Sequence, residues 1–172
     1  MLSRKVRWFW PVLLSLLLTD CATKRLASEH LEEYRSRPVV GDVVRLTLAH
    51  NRDAAMGISL GPFSRPGFAL LALGAVVVLV RMYRAAAPGD APLAAAIALV
   101  TGGALGNLAD RVRSARGVVD FIDVGVGSWR FYTFNVADVG VSLGAAALAV
   151  LLWKRDSEAA RSAAGRAKTQ PG

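Results

Sequence analysis

The chain is poor in the side chains from which covalent and soft-metal chemistry are built. Its single cysteine, Cys21, rules out an intrachain disulfide and a cysteine metal cluster. Its two histidines, His30 and His50, fall in no His-Glu-x-x-His run, which argues against a zinc hydrolase of that kind. No Gly-x-Ser-x-Gly elbow is present, which argues against a serine hydrolase built on that turn. The net charge is +8 and the isoelectric point about 10.5, but the basic residues form no stripe interleaved with aromatics. A nucleic-acid partner is therefore not expected. There is no internal repeat.

Apolar residues are abundant. They make up 53% of 172 residues and the mean hydropathy is +0.38, which suggests a single-domain membrane protein. Four segments read as membrane spans: 6–22, 68–82, 92–108 and 136–153. Several are shorter than the ~20 apolar residues that cross a bilayer core, and flanking arginines can snorkel to extend them. The second is the shortest unless Pro66 and Gly67 lie inside its entry. Arg4, Lys5 and Arg7 precede the first span, Arg81 and Arg84 follow the second, and Lys154, Arg155, Arg161, Arg166 and Lys168 follow the fourth. Basic residues that dense in short stretches place both termini in the cytoplasm. The two outer connections carry strand-like text at Val43-Val44-Arg45-Leu46-Thr47-Leu48 and at 118–126. Residues 1–153 thus form one membrane-embedded domain, and 154–172 a polar cytoplasmic tail expected to fray.

The N-terminus admits another reading. Arg4, Lys5 and Arg7, an apolar run to Leu18 and then Cys21 look like a secretory signal ending in a lipid-modified cysteine. Asp20 stands where such a signal needs a small residue, and three further apolar segments follow, so a retained first helix is preferred.

The acids lie where they are costly. Asp120 and Asp138 sit just outside the last span, and carboxylates at a membrane boundary are functional candidates by default. Two of them could activate a water between them. Each candidate has a plainer reading. Asp20 and Lys24, four apart, share a helical face and read first as a local ion pair in which Lys24 snorkels. Asn107, Asp110 and Arg111 share another face, beyond a glycine-rich stretch (Gly102, Gly103, Gly106) that suits close helix packing. Asn135 and Asp138 read equally as a helix cap with an acid in the first turn and as part of a catalytic site. Asp120 and Asp123 point to opposite faces of a regular strand, and Asp123 reads as solvated. An oxygen-only metal site from Asp110, Asp120 and Asp138 stays open on these grounds.

In order along the chain these motifs resemble one family. Asp20-Cys21-Ala22-Thr23-Lys24 is similar to its first box. Asn51-Arg52-Asp53-Ala54-Ala55-Met56 is similar to an Asn-x-Gly-Ala-Ala-Phe box, with Asp53 in place of Gly and Met56 in place of Phe. Gly102-Gly103-Ala104-Leu105-Gly106-Asn107-Leu108-Ala109-Asp110-Arg111 matches Gly-Gly-Ala-x-Gly-Asn-x-x-Asp-Arg. Val118-Val119-Asp120-Phe121 and Phe134-Asn135-Val136-Ala137-Asp138 match the last two boxes; the spacer at 112–117 before Asp120 is about one residue longer than the family pattern. The family is the lipoprotein signal peptidase (signal peptidase II), aspartic proteases of the bacterial inner membrane, and the resemblance covers about residues 8–153.

The resemblance implies a mainly α, polytopic fold of four transmembrane helices with a small extracytoplasmic β-cradle. It implies a catalytic pair at Asp120 and Asp138, supported by Asp20, Lys24, Asn51, Asn107, Asp110, Arg111 and Asn135. It implies diacylglyceryl-modified prolipoproteins as substrates, cut just before the lipid-bearing cysteine near the outer face, by a monomer among membrane lipids with no metal and no other cofactor. The rival readings are a non-enzymatic small membrane protein, whose acids line a polar path or pair across helices, and an inactive or specialised paralogue, raised by Asp53 and Met56.

Overall fold

The structure, a computed structural model, describes residues 2–53 and 59–169; Met56 lies outside them. In chain order the elements are α1 (Arg4–His30), β1 (Arg37–Val40), β2 (Val44–Asn51), a 3-10 turn (Gly61–Phe63), α2 (Ser64–Ala85), α3 (Ala91–Arg113), β3 (Val118–Val126), β4 (Trp129–Arg130) and α4 (Val136–Thr169). Both strand-like stretches are strands. β1 and β4 are too short and too ordinary in sequence to have been read beforehand.

The glycine-rich helix α3 stands between α1, α2 and α4. Two of its glycines are closely approached by neighbouring helices. A Cβ at Gly103 would lie 2.3 Å from the Ala137 carbonyl oxygen, and one at Gly106 would lie 2.5 Å from Asp20 Oδ2. Small residues let helices approach where no hydrophobic drive separates them from lipid. Phe9, Leu13, Leu79, Leu93, Ala94 and Ile97 form the apolar core between α1, α2 and α3. A second cluster of Ala27, Leu48 and Phe121 seats the sheet on the far end of α1.

Among the described residues three helical stretches are long and apolar enough to cross a membrane: Gly61–Ala85, Ala91–Arg113 and Val136–Ala163. The outward faces of α2 and α4 are apolar, with Leu70, Leu71, Val78, Leu143 and Val150 exposed. Pro66 and Gly67 do lie inside α2, which gives the second span the length its apolar run alone lacks. The helix of α4 does not stop near Trp153 but continues to Thr169. That stretch is rich in Ala and carries Arg and Lys, residues of high helix propensity.

The sheet is antiparallel in the order β1-β2-β3-β4. β2 and β3 pair Ala49 with Asp120, His50 with Val119 and Asn51 with Val118. The segment entering α4 adds to β3 through an isolated bridge, Ile122 with Phe134. Ile122 and Phe134 exchange N–H···O bonds of 2.8 and 3.0 Å, and this brings the start of α4 to the strand that carries Asp120.

Candidate active site

Two asparagine side chains join the two aspartates. Asn135 precedes α4, and its Oδ1 accepts the N–H of Asp138 (3.0 Å) while Asp138 Oδ2 accepts the N–H of Asn135 (3.1 Å). This reciprocal pair is a capping box, satisfying two helix-end donors at once. The cap leaves the Asn135 amide nitrogen available, and it donates to Asp120 Oδ1 at 2.7 Å. Asn107 of α3 donates to Asp138 Oδ1 at 2.8 Å, and its Oδ1 accepts from Asn135 (3.1 Å) and from Lys24 (2.9 Å). Asn51, ending β2, donates to Asp120 Oδ2 at 3.2 Å. Each aspartate thus accepts two N–H bonds.

Behind this layer stands a buried ionic one. Lys24 reaches Asp20 at 2.8 Å and Asp110 at 2.9 Å. It is buried rather than snorkelling, because two carboxylates lie within ion-pair distance of its ammonium group and the Asn107 amide oxygen accepts a hydrogen bond from it. Asp20 Oδ1 accepts the N–H of Ala137 (2.9 Å), so it occupies the positive end of α4 from a different helix. Asp110 Oδ2 accepts the N–H of Val119 (3.3 Å), next to Asp120. Arg111 donates to the carbonyls of Asp53 (3.0 Å) and Asn107 (3.3 Å) and lies 6.0 Å from the Phe68 ring. Arg65, with no motif to mark it, caps the last carbonyls of α3 at Arg111 (2.5 Å) and Val112 (3.2 Å).

A cavity of about 900 Å³ opens on this arrangement. Asn51, Asn107, Arg111, Asp120 and Asp138 reach its wall, whereas Asp20, Lys24, Asp110 and Asn135 stand behind it. One side is apolar, with Val139 and Leu143 on α4 and the aromatics Phe131, Tyr132 and Phe134. The other side is the charged edge of the sheet, with Glu33, His50, Arg52 and Arg116. The aromatic run and the charged edge carry no motif, although Trp129 to Phe134 is a dense aromatic stretch.

Burial pushes the Asp120 carboxyl up to about 7, and the charge of Asp138 adds to the rise; the Asn135 and Asn51 bonds offset part of it. Asp123 departs from the reading of a solvated acid. It is buried, because Arg130 of β4 folds back onto it at 2.8 Å and Thr47 donates to it at 3.1 Å. Among the described residues no three His, Cys, Asp or Glu side chains are grouped to hold a metal ion, and Asp110 is turned to Lys24 instead. The charged and amide side chains of this network come from the later parts of α1 and α3, the end of β2, β3 and the start of α4.

Comparison with known proteins gives matches over most of the chain. A family model described as signal peptidase (SPase) II matches residues 12–154. A lipoprotein signal peptidase of Photorhabdus laumondii subsp. laumondii is 41% identical over 146 residues, 83% of this chain and 85% of that protein. One of Geobacter sulfurreducens is 40% identical over 146 residues, 84% and 90% of the two chains. A solved structure described as a bacterial membrane enzyme superposes with a TM-score of 0.77 at 28% identity, covering 86% of this chain and 88% of the other. A second so described gives 0.73 at 28% identity, covering 82% and 89%.

Proposed function

Because this chain belongs to the signal peptidase II family, we propose that Asp120 and Asp138 are the catalytic pair with which it removes the signal peptide from prolipoproteins. The observation that carries this reading is the Asn135 cap. One buried amide fixes Asp138 at the start of α4 and bonds Asp120 on the neighbouring strand, with both acids open to one cavity.

The substrate is a prolipoprotein that already carries diacylglycerol on its cysteine, cut just before that residue. Its acyl chains lie along the apolar side of the cavity, toward α4 and the bilayer. The helices thereby bring the scissile bond to the pair, a contribution of position rather than of chemistry. Asp120, buried and raised toward neutrality, holds the shared proton at rest. Asp138 takes a proton from a water, the water oxygen attacks the scissile carbonyl, and Asp120 donates its proton to the developing oxyanion. Collapse of that intermediate breaks the C–N bond, and a proton passes to the leaving amine of the cysteine. Asn51, Asn107 and Asn135 orient the carboxyls. Asp20, Lys24 and Asp110 fix the start of α4 and the backbone at Val119. Arg111 holds the loop at Asp53. No step uses a metal or another cofactor.

The protein acts as a monomer in the bacterial inner membrane and crosses it four times, α1 included. Both termini are cytoplasmic, residues 1–153 form the peptidase domain and 154–172 a cytoplasmic tail. The test is cleavage of a diacylglyceryl-modified prolipoprotein by the purified protein, with and without a chelator. Cleavage is expected in both, and Asp120→Asn and Asp138→Asn are each expected to lower the rate by ~10³ or more. Full activity in either variant would refute the pair.

A further inference from the structure

The charged edge of the cavity is used by none of the steps above. At its centre Glu33 is shared between two partners: His50 Nδ1 lies 2.9 Å from Glu33 Oε1, and Arg116 pairs with Oε2. Glu33 follows α1, His50 is on β2 beside Asn51, and Arg116 precedes Gly117 at the entry to β3. Gly117 has φ +94, and a Cβ there would lie 2.2 Å from the Asn51 carbonyl oxygen. The turn that presents Arg116 is therefore fixed against the strand that carries Asn51. One guanidinium nitrogen of Arg116 is engaged by Glu33, and its side chain stays 55% exposed on the cavity wall. A planar guanidinium held from one side and open on the other is suited to a second carboxylate.

The register locates this edge relative to the reacting bond. Ala49 pairs with Asp120 and His50 with Val119, so His50 is one residue along the sheet from the catalytic level. Arg116 lies four residues from Asp120 along the chain. At about 3.3 Å per residue, an extended substrate crossing this edge meets it within roughly four residues of the cut. A signal peptide is apolar and is disfavoured against charged groups. The polar polypeptide that follows the lipid-bearing cysteine is not.

Resting on the peptidase reading given above, we propose that Arg116, held by Glu33, is a specificity-determining residue that favours prolipoproteins with an acidic residue within the first four positions after the lipid-bearing cysteine. The experiment compares three diacylglyceryl-modified prolipoproteins that differ only in carrying Asp, Asn or Lys there, each read as kcat/KM. The wild type is expected to prefer Asp over Lys by about tenfold, from attraction in one case and repulsion in the other. Arg116→Gln brings the ratio to about one and Arg116→Glu inverts it, while Glu33→Gln, which frees the guanidinium, raises it. Because each enzyme is compared with itself, a general loss of rate leaves the ratio readable. Equal cleavage of the three substrates by the wild type, or an undiminished ratio in Arg116→Glu, overturns the proposal alone. Cleavage of none of them by the wild type overturns the peptidase reading instead.

Discussion

Asn135 does two jobs that compete in most proteins. Its carbonyl oxygen caps α4 and its amide nitrogen bonds Asp120, so replacing it removes a helix cap and a contact to the proposed catalytic pair together. The sequence leaves Asn135 and Asp138 suspended between cap and catalyst; the structure shows the cap, and the tertiary pairing of Phe134 with Ile122 brings it beside Asp120, the arrangement from which the catalytic role is proposed. At Asp120 the consequence is a pH dependence. Its folded-state pKa, about 7, lies above the ordinary value of 3.8. The folded protein therefore binds a proton more tightly than the unfolded chain. The stability this gives is fully present below about pH 4 and is lost as pH rises through about 7. Asp120→Asn removes a charge that is costly to bury, and is expected to raise thermal stability at pH 8, with ~4 kcal/mol as the ceiling from the size of the shift. An asparagine keeps one acceptor oxygen where the carboxylate has two, so one of the bonds from Asn135 and Asn51 is lost and the gain stays below that figure. Unfolding midpoints at pH 5 and pH 8 check it: the wild type weakens between them and the variant does so much less. With Asp120 as the proposed proton donor, cleavage should likewise decline as pH rises through 7, where it loses that proton.

The elements meet where side chains are smallest, and α3 sets the spacing of the others. The sequence marks Gly102, Gly103 and Gly106 as a packing surface and places Asn107, Asp110 and Arg111 on a face just beyond, because helical periodicity is a local property. It does not show which helices that surface meets, since partners come from topology. A methyl at Gly103 collides with a backbone carbonyl, which cannot rotate away as a side chain could. Gly103→Ala is expected to push the start of α4 outward and stretch the 2.8 Å bond from Asn107 to Asp138. Activity should fall by about tenfold or more, since small displacements of a positioned group are costly, and the melting temperature should drop. Gly74 of α2 has nothing within 4 Å of its would-be Cβ. There the helix propensity of alanine acts alone, and Gly74→Ala is expected to be neutral or to stabilise by ~0.5–1 kcal/mol. Cleavage rates and melting curves of the two variants separate packing from propensity. A harmless Gly103→Ala would show that α4 does not need its close approach to α3.

For the whole molecule the open quantity is how often the chain crosses the membrane, and α1 decides it. Three helical stretches qualify by apolarity, whereas α1 carries Asp20 and Lys24 within its length. Those charges are neutralised inside the protein by each other, Asp110 and the end of α4, so they do not bar the helix from the bilayer boundary as free charges would. Its 27 residues span about 40 Å, more than the ~30 Å hydrocarbon core. Its two ends also lie at opposite ends of the molecule. At one, Lys5 donates to the carbonyl of Ala86 (2.8 Å) in the α2–α3 connection, and Arg155 of α4 pairs with Asp90 of the same connection. At the other, Asp20 and Lys24 meet the site beside the sheet. A helix that runs the full depth of the bundle beside α3 is positioned to cross with it, which is the ground for proposing a fourth crossing. Four crossings put residues 2 and 158 on one side and residue 128 on the other, whereas three would separate 2 from 158. With Cys21 replaced by Ala, single cysteines at Leu2, Ser128 and Glu158 distinguish these cases by labelling with a membrane-impermeant thiol reagent. Ser128→Cys should label in spheroplasts from outside, while Leu2→Cys and Glu158→Cys should label only after permeabilisation. Labelling of Leu2→Cys from outside would reduce the crossings to three and lay α1 on the outer surface.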